Sequence, residues 1–174
     1  SQLSPEMKFL EGLTFDDVLL VPQYSDIEHR SEVSVKTKIL PGLELDLPFV
    51  AANMDTVTEA NMAFAMAKFG GSAVLHRYMN IEEMVLEINT YKKLFADEQI
   101  AEKPMIISIG VHDYDRVAAA LKAGVNNVCI DVAHGHHALV KKTIMAIREK
   151  HGNDVNIIAG NIATYQAAKD LIEW

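Results

Sequence analysis

A single cysteine in 174 residues, Cys129, excludes an intrachain disulfide and every CxxC metal motif. Such cysteine usage fits a reducing compartment. No apolar run reaches the ~20 residues that a membrane-spanning helix needs. The opening residues, Ser1-Gln2-Leu3-Ser4-Pro5-Glu6, hold neither a basic stretch nor an apolar core, so they do not read as a signal peptide. Lipidation motifs are missing as well. Positive charge is scarce: 16 Lys+Arg against 24 Asp+Glu leave a formal net charge of −8. A chain this acidic is poorly suited to wrapping nucleic acid, whose phosphates need clustered Lys and Arg. An anionic small ligand stays open, because backbone amides at helix N-termini bind anions locally. The expectation is a soluble cytoplasmic protein.

What is present suffices for a core. The chain is 49% hydrophobic and 23% charged, close to a globular average and far from a disordered one. Two regions are expected: a strand/turn region over 1–47 packed on a larger α/β part over 48–174. In the first, Thr14 to Val21 and Val33 to Leu40 read as short strands, closed by Pro22 and Pro41-Gly42.

From residue 48 the pattern becomes strand, loop, helix, repeated. The strand-like runs are Pro48–Ala52, Ser72–His76, Met105–Ile109, Asn127–Asp131 and Asn156–Ala159. Between them, Thr56-Val57-Thr58-Glu59 has capping-box spacing before a helix running to Phe69. Asn80 caps a helix with Ile81, Met84, Val85, Ile88, Tyr91, Leu94 and Phe95 on one face. Further helices open at Asp113, near Ala138 and at Thr164. Short apolar strands without alternation, separated by helices, imply parallel βαβ units buried on both faces. No Gly-x-Gly-x-x-Gly follows the first strand, so a dinucleotide-binding doubly wound sheet is unsupported. The fold class expected is α/β, a (β/α)8 barrel of which this chain carries about five βα units.

In such barrels the chemistry collects at the C-terminal ends of the strands. Those ends read Asn53-Met54-Asp55-Thr56, His76-Arg77-Tyr78, Ser108 to Gly110, Asp131 through His137, and Gly160-Asn161. Asp131 follows a buried strand and can accept hydrogen bonds from a ligand; an N-cap or a salt bridge would explain it equally well. His134, His136 and His137 invite a metal reading, but they sit on one loop without helical zinc spacing, and polar loop contacts are the stronger expectation. His76 beside Arg77 can form an acid–base pair; alternatively Arg77 holds a phosphate or carboxylate, or serves structure. Asn161 can present its amide to a base or ribose, or form an Asx-turn. Cys129 lies inside a strand and is expected to be inert.

Taken together, these segments resemble the inosine monophosphate dehydrogenase / guanosine monophosphate reductase family. The resemblance rests on Gly12-Leu13-Thr14-Phe15-Asp16-Asp17-Val18-Leu19-Leu20-Val21-Pro22, on Ala52-Asn53-Met54-Asp55-Thr56-Val57-Thr58-Glu59 and on His76-Arg77 followed by Ile81-Glu82-Glu83. It rests also on Asp131-Val132-Ala133-His134-Gly135-His136 and Ala159-Gly160-Asn161. It implies a barrel enzyme acting on purine nucleotide monophosphates, in which a cysteine after the sixth strand attacks purine C2 and hydride passes to or from a nicotinamide dinucleotide. By the same resemblance, Asp131, Val132 and Ala133 lie at the cofactor, Arg77 is a basic active-site residue, Met54 lies against the nucleotide and Asn161 near the reacting base. Catalytic roles would then fall to Arg77 and Asp131, and none of these residues is expected to hold a metal. A homotetramer and a monovalent cation such as K+, bound outside these residues, are implied too. Cys129 precedes Asp131 and is not the nucleophile, so these 174 residues alone, as strands one to five, are expected to be inactive. The family's dehydrogenases usually carry CBS motifs between the second and third strands; here that connection is one helix. The expectation is therefore NADPH-dependent reductive deamination of GMP to IMP and ammonia. NAD-dependent IMP oxidation by an enzyme without CBS domains is the alternative. From another class comes a non-catalytic half-barrel needing a partner or self-association.

Overall fold

The computed structural model describes residues 9–174. The chain divides into two compact units, Ser1–Ser34 and Val35–Trp174. The boundary falls earlier than residue 47, because the hairpin that follows it belongs to the larger unit.

In the first unit the expected strand over Thr14–Val21 does not form. A single turn of 3-10 helix, Phe15–Asp17, takes its place. Asp17 accepts hydrogen bonds from both the backbone N–H (2.8 Å) and the hydroxyl (3.0 Å) of Thr14. That local closure competes with extended pairing, and it holds the Asp17 carboxyl below its usual range. The second expected strand is shorter than Val33–Leu40 and starts at Thr37.

In the larger unit, β1 (Thr37–Leu40) and β2 (Leu43–Leu45) form an antiparallel hairpin across Pro41-Gly42. Five strands follow: β3 (Val50–Ala51), β4 (Ser72–Leu75), β5 (Ile106–Ile109), β6 (Asn127–Asp131) and β7 (Asn156–Gly160). They pair in parallel and in sequence order, β3-β4-β5-β6-β7. A doubly wound sheet would reverse its order at a switch point; an unbroken order is that of a barrel wall. The helices α1 (Ala60–Lys68), α2 (Ile81–Glu98), α3 (Tyr114–Lys122) and α4 (Ala138–His151) connect successive strands, and α5 (Tyr165–Glu173) follows β7.

Alternate residues of each strand point to opposite faces. Leu75, Ile107, Ile109, Val128 and Ile130 join the helices in the main core. There Phe95 packs edge-on against Phe64 at 4.9 Å and Tyr91 at 5.0 Å, each pair contributing about 0.5–1.5 kcal/mol beyond burial. Val74 and Ile106 turn the other way, onto Leu40, Leu43 and Leu45, with Cys129 and Ile158 packed against them. The hairpin thus covers the interior face of the wall. Two residues further along, Ser108 and Asp131 share that face. The β4 and β5 strands are buried throughout, as their unalternated sequences predict, whereas β7 is half-exposed along its length because it has one neighbour among the described strands.

The helix starts follow local hydrogen bonding. Asn80 caps α2 by accepting from Glu83 N–H at 2.8 Å, and Thr164 caps α5 by accepting from Ala167 N–H at 3.0 Å. The expected capping box at Thr56–Glu59 does not form, and α1 begins only at Ala60. The Thr58 hydroxyl donates instead to Ala52 O at 2.6 Å, and the Ala60 N–H donates to Glu87 of α2 at 2.8 Å. No helix among the described residues is long and apolar enough to cross a membrane.

Candidate functional site

The loops at the C-terminal ends of the strands meet around Asp131, the last residue of β6. Asn53, from the loop after β3, donates its Nδ2 to Asp131 Oδ2 at 2.6 Å. Asn161, just after β7, donates its Nδ2 to Asp131 Oδ1 at 3.0 Å. Asp131 makes neither an N-cap nor a salt bridge among the described residues: the helix cap is His137, whose Nδ1 accepts from Leu139 N–H at 3.0 Å.

The donor count fixes what this group can offer. Asn161 Nδ2 also donates to Val132 O at 3.1 Å. Both of its amide hydrogens are therefore engaged, and the oxygen alone remains for a ligand. Asp131 is an acceptor at each oxygen. The pair is thus an acceptor surface, suited to hydroxyls or an NH2 group and repellent to phosphate.

Two loops are zipped together beside it. Val132 N–H donates to Gly160 O (3.2 Å), Asn161 N–H to Val132 O (2.7 Å) and Gly135 N–H to Asn161 O (2.7 Å). Gly135 is required there: a Cβ would stand 2.7 Å from Gly160 C and 2.9 Å from Asn161 O. Val132 consequently has its backbone N–H engaged and its side chain on the core. Ala133 is exposed at the turn.

Arg77 follows β4 and is half-buried. Its guanidinium lies over Gly110 at the end of β5, where a Cβ would come 3.3 Å from Nη1. It has no ion pair or hydrogen bond among the described residues. An unpaired, partly desolvated guanidinium is a standing acceptor of anions. Met54 is 56% exposed on the β3 loop, with its backbone engaged: its N–H donates to Ala52 O, and its carbonyl accepts from Val57 and Thr58. The structure therefore brings Asp131 and Asn161 into contact and adds Asn53, which the sequence reading left outside the site. Arg77 stands apart, over β5.

The histidine cluster resolves into structural roles. His137 caps α4, His136 Nε2 lies 2.7 Å from Asp170 Oδ2 and the ring stacks on Trp174, while His134 lies edge-on to His137. The His136 and Gln166 hydrogen bonds hold the Asp170 carboxyl below its usual range. The one described group with metal-like convergence is Asp55, Glu59 and His76, whose ligand atoms lie within 4.8 Å of one another. Its donor chemistry does not fit a metal. A ligating histidine donates its second ring N–H to an acceptor, but His76 Nδ1 accepts from the Tyr78 N–H at 3.1 Å. The proton of the neutral ring therefore sits on Nε2, the nitrogen facing the carboxylates.

Cys129 sits one layer below Asp131. Burial, then the Asp131 charge, pushes its thiol up to about 11, so it is a poor nucleophile at neutral pH. A cavity of about 560 Å³ lies elsewhere, between α4, β7 and α5, lined by Ile144, Ile157, Leu171 and Trp174. A smaller one of about 200 Å³ adjoins the loops at Ala133, His134, Asn161 and Thr164.

Comparison with known proteins gives one consistent result. The family model described as IMP dehydrogenase / GMP reductase domain matches residues 12–174. The inosine-5'-monophosphate dehydrogenase of Cryptosporidium parvum is 32% identical over 94% of this chain and 49% of its own length. That of Borreliella burgdorferi is 35% identical over 93% of this chain and 51% of its own. The GMP reductase of Leishmania donovani is 42% identical over 56% of this chain and 19% of its own. The chain spans about half the length of the first two relatives.

Proposed function

This chain belongs to the IMP dehydrogenase / GMP reductase family, and from that premise we propose that it forms one side of the active site of an oxidoreductase that reduces GMP to IMP and ammonia with NADPH. The observation that carries the reading is Asp131, held by Asn53 and Asn161 at the C-terminal edge of a barrel wall. A nicotinamide nucleoside carries ribose hydroxyls and a carboxamide NH2, the donors that an acceptor surface takes. When bound, the reduced cofactor supplies the hydride.

The chain's own residues orient the reactants. Asp131 and the Asn161 oxygen accept from the cofactor's neutral donors and exclude its phosphates. Arg77, unpaired, takes an anionic group. Met54, exposed on the β3 loop, covers an apolar ring face. Cys129 takes no part, and the covalent step falls to a cysteine elsewhere in the complete polypeptide. Reductive deamination is preferred because the connection from β4 to β5 holds only α2.

IMP oxidation with NAD is the second reading. It is favoured by the names of the relatives that match over nearly the whole chain. One assay of the complete polypeptide separates the two. NADPH consumption that needs GMP, with ammonia released, supports reduction. NADH formation from IMP and NAD, without NADPH oxidation, overturns it for the second reading. Turnover of neither pair refutes both.

A further inference from the structure

We propose that His76 is a positioning residue: it fastens the loop that carries Asn53 by donating a single Nε2–H to Glu59, and so sets the place of Asn53 against Asp131. The inference rests on the proposed site only for its kinetic consequence; its geometric part stands alone.

His76 follows the fully buried strand β4 and is itself 2% exposed. A buried imidazole must have both ring nitrogens satisfied. The Tyr78 backbone N–H can only donate, so Nδ1 is the acceptor and Nε2 carries the proton. That proton points at Glu59 Oε1, 2.9 Å away; Asp55 Oδ1 is more distant at 3.6 Å. Glu59 is the N-cap residue of α1 but makes no side-chain cap hydrogen bond there, which leaves its carboxylate free for this role.

The loop between β3 and α1 is closed on itself. Met54 N–H donates to Ala52 O, and the Val57 and Thr58 N–H groups donate to Met54 O. Thr58 is fully buried and returns its hydroxyl to Ala52 O. Two bonds fasten this unit to β4: the His76 N–H to Thr58 O at 3.4 Å, and the His76 side chain to Glu59. Asn53 lies inside the fastened segment, and its Nδ2 reaches Asp131 at 2.6 Å. The imidazole bond is the shorter of the two fastenings and is charge-assisted, so losing it releases the loop at its α1 end.

The test compares Glu59→Ala, Glu59→Gln and His76→Gln in the complete polypeptide. Glu59 is 53% exposed, so its substitutions leave the core intact. Long-range 1H–15N NMR should report the Nε2–H tautomer of His76 in the parent protein. Glu59→Ala should move the Asn53 side-chain amide resonances. Glu59→Gln, which keeps an acceptor oxygen, and His76→Gln, which keeps a donor, should hold them near their parent positions. In turnover, Glu59→Ala should raise the cofactor KM on the order of tenfold with kcat nearly unchanged, and Glu59→Gln should restore it. An Nδ1–H tautomer, unmoved Asn53 amides in Glu59→Ala, or stoichiometric Zn2+ binding that shifts the His76 resonances would each overturn the proposal. Should the NMR results hold while the parent protein turns over neither nucleotide, the proposed function fails and the positioning role stands.

Discussion

Replacing Gly135 with alanine tests whether the loops after β6 and β7 act as one body. The added Cβ would lie 2.7 Å from Gly160 C and 2.9 Å from both Gly160 O and Asn161 O. All three are backbone atoms inside a hydrogen-bonded ladder, so no side chain can swing aside. Overpacking of this kind costs about 1–3 kcal/mol. Separating the loops also weakens the Gly135 N–H bond to Asn161 O, at about 1 kcal/mol. Reduced freedom of the unfolded chain returns about 0.4–1 kcal/mol. The net expectation is a loss of about 2 kcal/mol, read by urea denaturation of the complete polypeptide. Gly110→Ala is the matched control. Its Cβ meets only the movable end of Arg77, at 3.3 Å, so its stability should stay within about 0.5 kcal/mol of the parent. Equal stability of Gly135→Ala and the parent would refute the close approach, and with it the argument that Asn161 is held in place by the β6 loop.

Arg77→Met removes a charge that pairs with nothing described; thermal stability should hold while the KM of the anionic ligand rises roughly 10–100-fold, and a lowered melting temperature would show a structural partner instead. The Cys129 thiol, pushed up to about 11, should react slowly with a thiol reagent at pH 8 and faster once denaturant is added, and Cys129→Ala should keep turnover; rapid native labelling would contradict the raised thiol. Asn80→Ala should cost about 1 kcal/mol, the usual loss of an N-cap, measured by the same denaturation. Alkaline pH should destabilise the fold: Cys129 and Tyr91 both hold their protons above the range in which the unfolded chain releases them. The unfolded state then binds fewer protons, so melting temperature should fall as pH rises from about 9 towards 11; a flat profile would contradict both shifts.

The parallel wall was legible because burial on both faces writes itself into sequence. Ile106–Ile109 and Ser72–Leu75 carry no alternation, and both are buried throughout. Asn80 and Thr164 announced their helices because a cap acts within three residues. Thr14–Val21 misled for the opposite reason. Its apolar content is that of a strand, but a strand needs a partner, and Asp17 closes on Thr14 within the same stretch. The capping box at Thr56–Glu59 misled because a tertiary partner took one of its two members: the Glu59 carboxylate is engaged by His76.

Asp131 was visible from its place after an apolar run, but its partners were not. Asn53 is separated from it by 78 positions and Asn161 by 30, and no local spacing relates them. What joins them is the barrel order of the strands, which brings every loop to one rim. The orientation of the Asn161 amide is a property of that assembly as well. Its two hydrogens are taken by Asp131 and Val132 O, so a residue that sequence permits to donate is left to accept. The same holds for His76: beside Arg77 it reads as half of an acid–base pair, and only the Tyr78 N–H on Nδ1 shows that its one proton is committed to Glu59. In this rim the residue types follow from the sequence, and the donor or acceptor character of each follows from what the neighbouring strands have already bonded.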